Sequence, residues 1–245
     1  MKGVVLAGGT GSRLNPLTKV TNKHLLPVYD EPMIYYPIKT LKTSGITDIL
    51  IIVGGESIGD FLKLLGSGEE LGVKITYKAQ IGSAGIPAAL GLAREFVGNE
   101  KFMMVLGDNI MEDSLKEEVQ QFLESDWGAM IFVKKVRDPK RYCVVEIDSD
   151  KVISVVEKPK YPKSNLAEAG VYMFDFRVFG IIPKLKPSAR GELEITDILN
   201  WYIKQDSLSY SVLKGFWTDA GTLESLYHAT TIIREKKLKM HTKNK

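Results

Sequence analysis

Short apolar runs alternate with helical patterns along the first half of the chain. Buried strands are predicted from short apolar runs at 3–7, 48–53 and 102–106, and a further strand is predicted at 73–78. Helical spacing of apolar residues predicts helices at 33–43, 58–65, 88–97 and 114–124, the last capped by Ser114. This alternation favours an α/β fold with a mostly parallel sheet and helices on both faces. The loops that begin at Gly8, Gly54, Gln80 and Asp108 all follow strands, so we expect them to meet at one sheet edge.

The second half of the chain has a different pattern. Strands with short turns are predicted at 129–135, 142–147, 152–157 and 170–174, and helical patterns return at 195–205 and 223–235. We interpret this half as a smaller, mixed-sheet lobe laid over the first. No linker rich in Pro, Gly or Ser and no internal repeat separates the halves, so residues 1–235 are predicted to form one domain. Residues 236–245 form a basic tail that we expect to be flexible.

The charge of the chain is unevenly distributed. The net charge is +3, but residues 234–245 contain six Lys or Arg and one Glu, so the remainder carries −2. A nearly neutral body disfavours a broad nucleic-acid-binding face, although the tail remains a candidate contact for an acidic partner. The apolar runs are far shorter than the roughly 20 residues of a membrane span, and Met1–Gly3 has no signal-peptide layout. A single cysteine, Cys143, excludes an internal disulfide framework, and we expect a cytoplasmic protein.

A glycine-rich loop follows the first predicted strand. Gly8, Gly9 and Gly11 would allow a sharp turn and bring backbone N–H groups close to an anion. Arg13 adds a planar guanidinium suited to phosphate oxygens. The spacing matches neither the Walker motif nor the dinucleotide fingerprint, because no Gly-Lys-Ser/Thr follows and Leu14 stands where the last glycine belongs. The loop alone is a candidate phosphate cradle of modest specificity.

Two strand-end carboxylates suggest a metal site. Asp108 lies beside Gly107 at the end of a predicted strand, and Asp219 precedes a helix in a similar setting. Such a pair, completed by substrate phosphates, suits Mg²⁺, although Asp108 is equally well read as a helix cap. Lys23, before Leu-Leu-Pro, is either aimed at a phosphate or a solvated surface lysine. The three histidines are scattered and indicate no zinc site.

Taken together, these motifs resemble those of the sugar-phosphate nucleotidyltransferases, and most closely the short-form glucose-1-phosphate thymidylyltransferases. The resemblance covers nearly the whole chain in order and excludes only the final ten residues. It is carried by the segments 8–14, 23–27, 32–37, 106–109, 157–159, 185–197 and 217–222.

The resemblance implies the nucleotide-diphospho-sugar transferase fold and a specific reaction. A sugar-1-phosphate, with glucose-1-phosphate favoured, would attack the α-phosphorus of a nucleoside triphosphate, with dTTP favoured, and release pyrophosphate. Catalysis would depend on positioning and charge stabilisation, with Mg²⁺ as the cofactor. A UTP-dependent or other-sugar enzyme, and a non-catalytic nucleotide-sugar-binding regulator, remain alternatives. The family also implies a homodimer or homotetramer.

The resemblance further implies a role for individual residues. Arg13, Lys23 and Asp108 would be catalytic, and Asp108 and Asp219 would hold Mg²⁺. The first half, about 1–125, would bind the nucleotide through Leu6, Ala7, Gly8, Gly9, Gly11, Arg13, Lys23, Gln80, Gly85 and Asp108. The second half, about 126–235, would bind the sugar phosphate, with one residue added from the first half. The residues are Asn109, Cys143, Glu157, Lys158, Glu168 and Gly170.

Three segments depart from the thymidylyltransferase pattern. Cys143 replaces a glycine that lies against the sugar, and Glu168 stands in Ala-Glu-Ala-Gly where Ala-Val-Thr-Gly is usual. Ala88 replaces a glutamine near the base. The choice of sugar and the choice between dTTP and UTP therefore stay open, whereas the catalytic and metal positions are retained.

Overall fold

The computed structural model describes residues 1–82 and 84–243. Its strands are β1 (Lys2–Ala7), β2 (Pro27–Val28), β3 (Glu31–Pro32), β4 (Asp48–Gly54), β5 (Lys74–Gln80), β6 (Phe102–Leu106), β7 (Asn109–Met111), β8 (Ala129–Lys135), β9 (Cys143–Asp148), β10 (Lys151–Glu157), β11 (Leu166–Phe174), β12 (Leu208–Val212) and β13 (Trp217–Asp219). Its α-helices are α1 (Tyr35–Thr43), α2 (Ile58–Leu65), α3 (Ile86–Gly91), α4 (Arg94–Val97), α5 (Lys116–Glu124), α6 (Val178–Ile181), α7 (Ile195–Lys204) and α8 (Leu223–Lys243). Short 3₁₀ helices lie at Ser12–Leu14, Leu17–Lys19, Lys23–Leu25, Gly55–Ser57, Glu69–Leu71, Pro139–Arg141 and Ile182–Lys184.

The parallel half of the sheet has the order β6-β1-β4-β5. Val5 of β1 is fully buried between Val105 and Ile51 of its two neighbours. Alternate residues of these strands enter separate hydrophobic clusters on the two faces of the sheet. One cluster contains side chains of α3, α6 and α7, and the other contains side chains of α1, α2 and α5. The predicted α/β fold, with helices on both faces, is confirmed.

The second half of the chain extends this same sheet. β11 pairs antiparallel with β6, and β8, β9, β10 and β12 continue beyond it, so the described residues place nine strands in one mixed sheet. The mixed-sheet lobe predicted for the second half is therefore joined to the first half through this shared sheet. The sequence did not predict the full length of β11, because only 170–174 has the pattern of a buried strand. Glu168 and Gly170 interrupt that pattern where the strand register is irregular.

Three helical details differ from expectation. The segment 88–97 is divided into α3 and α4. Ser114 does not cap α5, because its hydroxyl donates to the carbonyl of Thr43 instead. The expected flexible tail begins inside a helix: α8 continues to Lys243, and Lys237 pairs with Asp30 at 2.7 Å. Residues 244 and 245 lie outside the described residues.

One short ladder brings distant parts of the chain to the sheet edge. β13 pairs antiparallel with β7, with Asp219 opposite Asn109. This register places the side-chain carboxylate of Asp219 beside the loop that follows β6. No helix in the described part of the chain is long and apolar enough to cross a bilayer.

Candidate active site

The carboxyl ends of the strands open into a cleft of about 650 Å³. The cleft brings together nearly all residues that the sequence singled out as candidate site residues. These are Leu6, Gly8, Gly9, Arg13, Lys23, Gln80, Gly85, Asp108, Asn109, Cys143, Glu157, Lys158, Glu168, Gly170 and Asp219. Ala7 and Gly11 do not line it, because Ala7 is buried in the sheet and Gly11 faces the side chains of Lys23 and Thr18.

The glycine-rich loop is shaped by close approaches. Gly11 has φ +67°, in the left-handed region, and begins the 3₁₀ helix that carries Arg13. A methyl group on Gly8 would lie 2.2 Å from Oε1 of Gln80, at the end of β5. Leu14 is fully buried and fixes the far end of the loop against a third hydrophobic cluster. A side chain at Gly8 would therefore displace the amide of Gln80, and one at Gly11 would strain the backbone.

Lys23 and Asp108 form a direct ion pair. Asn22 caps the 3₁₀ helix of Lys23 by accepting from the N–H of His24, which fixes the lysine at the cleft. Nζ of Lys23 donates to Oδ2 of Asp108 at 2.6 Å. Burial alone would raise the pKa of Asp108, but the ammonium of Lys23 outweighs it and lowers that pKa to about 2. The carboxylate is therefore ionised across the physiological pH range.

His24 is a buried, neutral neighbour of this pair. Its Nδ1 lies 2.8 Å from Oδ1 of Asn22, and its ring approaches the backbone at Gly107 closely. Burial, with the charge of Lys23, lowers the pKa of His24 to about 3. The histidine thus packs behind the pair and does not titrate near neutrality.

Asp219 faces the same space as Asp108. A methyl group on Gly221 would lie 3.2 Å from Oδ2 of Asp219 and 3.4 Å from Oδ2 of Asp108. Nη2 of Arg13 is 3.2 Å from that point. Burial, and then the charge of Asp108, raise the pKa of Asp219. Two hard carboxylate oxygens converging beside a guanidinium fit a Mg²⁺ ion that takes its other ligands from phosphate and water. No group of three or more His, Cys, Asp or Glu within residues 1–82 and 84–243 is arranged to hold a metal by itself.

Asn109 lies between the Asp108–Asp219 end of the cleft and the end lined by β10 and β11. Its Nδ2 donates to Oδ1 of Asp108 at 3.3 Å, and its Oδ1 accepts from the indole N–H of Trp217 at 2.7 Å. A methyl group on Gly170, where φ is +63°, would lie 2.3 Å from that amide nitrogen. Asn109 is therefore locked in one orientation, and Gly170 is needed for the close approach of β11.

Glu157 and Lys158 lie at the rim of the other end. They pair with each other at 2.8 Å, and the backbone N–H of Lys158 donates to the carbonyl of Tyr142 at 3.1 Å. Arg190 reaches over from the loop before α7 and pairs with Glu194 at 2.6 Å and with Glu157 at 3.4 Å. This network crosses between the two sides of the cleft.

Glu168 and Cys143 form the buried wall between Asn109 and the rim. Glu168 is 6% exposed and accepts from the backbone N–H of Gly170 at 2.7 Å and from the hydroxyl of Tyr172 at 2.6 Å. Burial raises the pKa of Glu168 to about 8, against the lowering effect of its hydrogen bonds. Burial also raises the pKa of the Cys143 thiol, so that the thiol is protonated and unreactive.

Comparison with known proteins accounts for this constellation. The nucleotidyl transferase family matches residues 2–236 of the chain. The chain belongs to the nucleotidyl transferase family.

Relatives of this nucleotidyl transferase share both sequence and fold. The glucose-1-phosphate thymidylyltransferase of Neisseria meningitidis is 44% identical over 96% of this chain and 83% of its own. The low-salt glycan biosynthesis nucleotidyltransferase Agl11 of Haloferax volcanii is 40% identical over 97% of this chain and 67% of its own. A Bacillus anthracis protein, provisionally named glucose-1-phosphate thymidylyltransferase and solved with sucrose, is 52% identical, with a TM-score of 0.92 over 96% of this chain and 95% of its own. The chain is an enzyme of nucleotide-sugar synthesis that resembles the glucose-1-phosphate thymidylyltransferases.

Several cleft residues of the nucleotidyl transferase were missed as site residues by sequence reasoning. The most informative of them are Arg141, Tyr142, Tyr172, Arg190 and Trp217. Tyr142 donates to Oδ1 of Asp219 at 3.3 Å and packs on Trp217, with ring centroids 5.6 Å apart. Tyr142, Arg190 and Trp217 lie inside or beside the motifs quoted above, which was the available signal. Arg141 and Tyr172 carried none, because only tertiary packing brings them to the cleft.

Proposed function

We propose that this nucleotidyl transferase joins dTTP to glucose-1-phosphate in a Mg²⁺-dependent reaction that yields dTDP-glucose and pyrophosphate. The observation that carries the proposal is the division of one cleft. The Lys23–Asp108 pair, Arg13 and Asp219 converge at one end, and the polar groups of β10 and β11 line the other.

The bond changes follow from the phosphate chemistry that the family implies. An oxygen of the sugar-1-phosphate forms a new bond to the α-phosphorus, the bond between that phosphorus and the β-phosphate oxygen breaks, and pyrophosphate leaves with the electron pair. No covalent enzyme intermediate forms. The enzyme contributes position and charge stabilisation, which are the main sources of catalysis in phosphoryl-type transfer.

Each residue near the phosphates has a distinct task in this proposal. Arg13 and the loop amides hold the triphosphate and the leaving pyrophosphate. Lys23 stabilises charge at the α-phosphate. Its ammonium lies beside Asp108, the proposed metal ligand. Asp108 and Asp219 would hold Mg²⁺, which neutralises phosphate charge when bound. Their convergence beside Gly221 supports this assignment.

The two ends of the substrate are held by different elements. Gln80 at the end of β5 and Gly85 before α3 both line the cleft, and they would contact the base. Asn109, Glu157 and Glu168 would form hydrogen bonds with the sugar hydroxyls. Cys143 and Gly170 would pack against the sugar ring, and Lys158 would contact the sugar phosphate. The thymidylyltransferase names of the relatives support dTTP. A UDP-glucose pyrophosphorylase bound to UDP-glucose, 25% identical with a TM-score of 0.85, keeps UTP as the alternative.

A substrate matrix tests the proposal. The purified protein is incubated with each nucleoside triphosphate and each of several hexose-1-phosphates, with Mg²⁺ or with EDTA, and pyrophosphate release is measured. We expect the highest kcat/KM with dTTP and no turnover in EDTA. A preference for UTP contradicts the base assignment alone. Turnover that persists in EDTA contradicts the metal assignment.

The alternative of a non-catalytic regulator makes an opposite prediction. Such a protein would bind a nucleotide sugar but release no pyrophosphate from any pair of substrates. The joint retention of Arg13, Lys23, Asp108 and Asp219 in one space favours catalysis, because binding alone does not need all four groups.

A further inference from the structure

Glu168 is a buried acid in the wall of the cleft. Its side chain lies on the face of β11 that also carries Gly170 and Tyr172, where the strand register is irregular. Each of its oxygens accepts one hydrogen bond from a neutral donor, the N–H of Gly170 and the O–H of Tyr172. No described lysine or arginine forms an ion pair with it.

The neighbouring cations are already paired. Lys158 contacts Glu157 at 2.8 Å, and Arg190 contacts Glu194 at 2.6 Å. The nearby charge of Glu157 adds to the effect of burial in disfavouring the ionised form of Glu168. Glu168 is therefore a carboxyl group whose ionised form lacks a counter-charge.

The triphosphate end of the cleft has the opposite imbalance. In the described ranges neither Arg13 nor Arg141 forms an ion pair, although both lie close enough to Asp219 to lower its pKa. The cleft thus offers unpaired positive charge at one end and an unpaired acid at the other. The substrates that complement this charge distribution carry phosphates at the first end and a positively charged group on the sugar at the second.

An ammonium satisfies a buried carboxylate better than a hydroxyl does. A charge-assisted hydrogen bond is roughly twice as strong as a neutral one, and the attraction of the counter-charge offsets the desolvation that raises the pKa of Glu168. A neutral sugar hydroxyl would meet the protonated form of Glu168 and gain no charge-assisted hydrogen bond.

We propose that the preferred acceptor of this enzyme is an amino sugar 1-phosphate, whose ammonium pairs with the carboxylate of Glu168. The inference rests on the proposed nucleotidyl transfer, and it replaces glucose-1-phosphate with an amino-deoxy sugar 1-phosphate as the preferred acceptor. It concerns the sugar and leaves the choice of base unchanged.

Glu168→Gln is the matched variant for a test. The amide has the size of the carboxyl group; its oxygen accepts from the N–H of Gly170, and its nitrogen donates to the hydroxyl oxygen of Tyr172. The substitution therefore removes the charge while both local hydrogen bonds are kept. Glu192→Gln is the control, because Glu192 also lines the cleft but is partly exposed and forms no hydrogen bond with its side chain in the described part of the chain.

The probes are glucose-1-phosphate and its 2-, 3-, 4- and 6-amino-deoxy analogues, each with dTTP and Mg²⁺, together with the N-acetylated form of the best amine. We expect wild type to use one amine with a kcat/KM roughly tenfold or more above that of glucose-1-phosphate. N-acetylation and Glu168→Gln should each abolish this preference, whereas Glu192→Gln should leave the ratio within about twofold.

Calorimetric titration of the same sugars, without turnover, separates this inference from the proposed function. Selective binding of an amine that is lost in Glu168→Gln supports the inference even if pyrophosphate release fails. Equal use and equal binding of amino and hydroxyl sugars by wild type overturn it, whatever the variants do. Retention of the amine preference in Glu168→Gln overturns the role of this residue.

Discussion

Nζ of Lys23 lies 2.6 Å from Oδ2 of Asp108, although the two residues are separated by 85 positions in the chain. Both side chains are mostly buried at the cleft, so each neutralises the other where phosphates are expected. A substrate phosphate and Mg²⁺ would replace this pair with two new ones, Lys23 with phosphate and Asp108 with the metal. The pair keeps both charges in place before substrate arrives.

Asp108→Asn tests this arrangement. The substitution keeps the shape of the side chain but removes the charge, so we expect pyrophosphate release to fall roughly 100-fold or more while the protein stays folded. Steady-state kinetics and far-UV circular dichroism measure the two properties. Asp60→Asn, on the exposed face of α2, is the control and should turn over like wild type. Wild-type-like turnover of Asp108→Asn would refute the metal and catalytic assignments together.

Asp219→Asn tests the second carboxylate. Because Asp219 and Asp108 face the same point beside Gly221, removing one charge should raise the Mg²⁺ concentration needed for half-maximal activity by roughly tenfold or more. Mn²⁺ binding, followed by electron paramagnetic resonance in the presence of dTTP, should weaken in parallel. An unchanged metal dependence in both measurements would remove Asp219 from the metal site.

Gly85→Ala tests the start of α3. Gly85 has φ +94°, and a methyl group there would lie 2.2 Å from the carbonyl oxygen of Leu193, which is backbone and cannot rotate away. We expect the free energy of unfolding to fall by about 1–3 kcal/mol, measured by urea denaturation. Gly59→Ala is the matched control: Gly59 lies in α2 with open space around it, and this change should stabilise by about 0.5–1 kcal/mol. Equal effects at both positions would contradict the structure around Gly85.

Cys143→Gly tests the wall beside the sugar. The thiol is buried and lines the cleft, so removing it should enlarge the sugar pocket and change the relative kcat/KM among hexose-1-phosphates by roughly tenfold. Cys143→Ser keeps a side chain of similar shape in the wall and should preserve the ranking of the sugars. An unchanged ranking in Cys143→Gly would exclude this side chain as a determinant of sugar choice.

The pH dependence of stability tests the burial of Glu168. Its folded-state pKa, about 8, is above the value of an exposed glutamate, so between pH 5 and 8 the folded state binds more protons than the unfolded state. The free energy of unfolding of wild type should therefore decrease as pH rises through this range, relative to Glu168→Gln. Urea denaturation of both proteins at pH 5, 6.5 and 8 measures the difference. A constant difference would show that Glu168 does not titrate in this window.

Local patterns predicted the parallel half of the fold well, and long-range pairing explains what they missed. The strands around Val5, Ile51 and Val105 are buried on both faces and therefore read as continuous apolar runs. β11 did not, because Glu168 and Gly170 serve the cleft at the expense of the strand pattern. Only the family resemblance marked Glu168 as a departure, because Ala-Glu-Ala-Gly replaces Ala-Val-Thr-Gly there.

The candidate site was predictable to the extent that it lies in contiguous motifs. The loop Gly8–Arg13, Lys23 and Asp108 were found because each follows a strand or precedes an anchoring apolar segment. Arg141 and Tyr172 reach the cleft through the pairing of β9 and β11 with the rest of the sheet, which no local pattern reports. Their positions required the tertiary structure.

The ladder between β7 and β13 has a consequence for biosynthesis of the protein. Asp219 reaches Asp108 only when β13 has paired with β7, and 105 residues separate the end of one strand from the start of the other. During translation, the glycine-rich loop, Lys23 and Asp108 leave the ribosome long before Asp219 does. The hydrophobic cluster that anchors the loop at Leu14 also contains Ala220 and Leu226, so the anchored loop and the paired carboxylates are both completed only after β13 and the start of α8 have emerged.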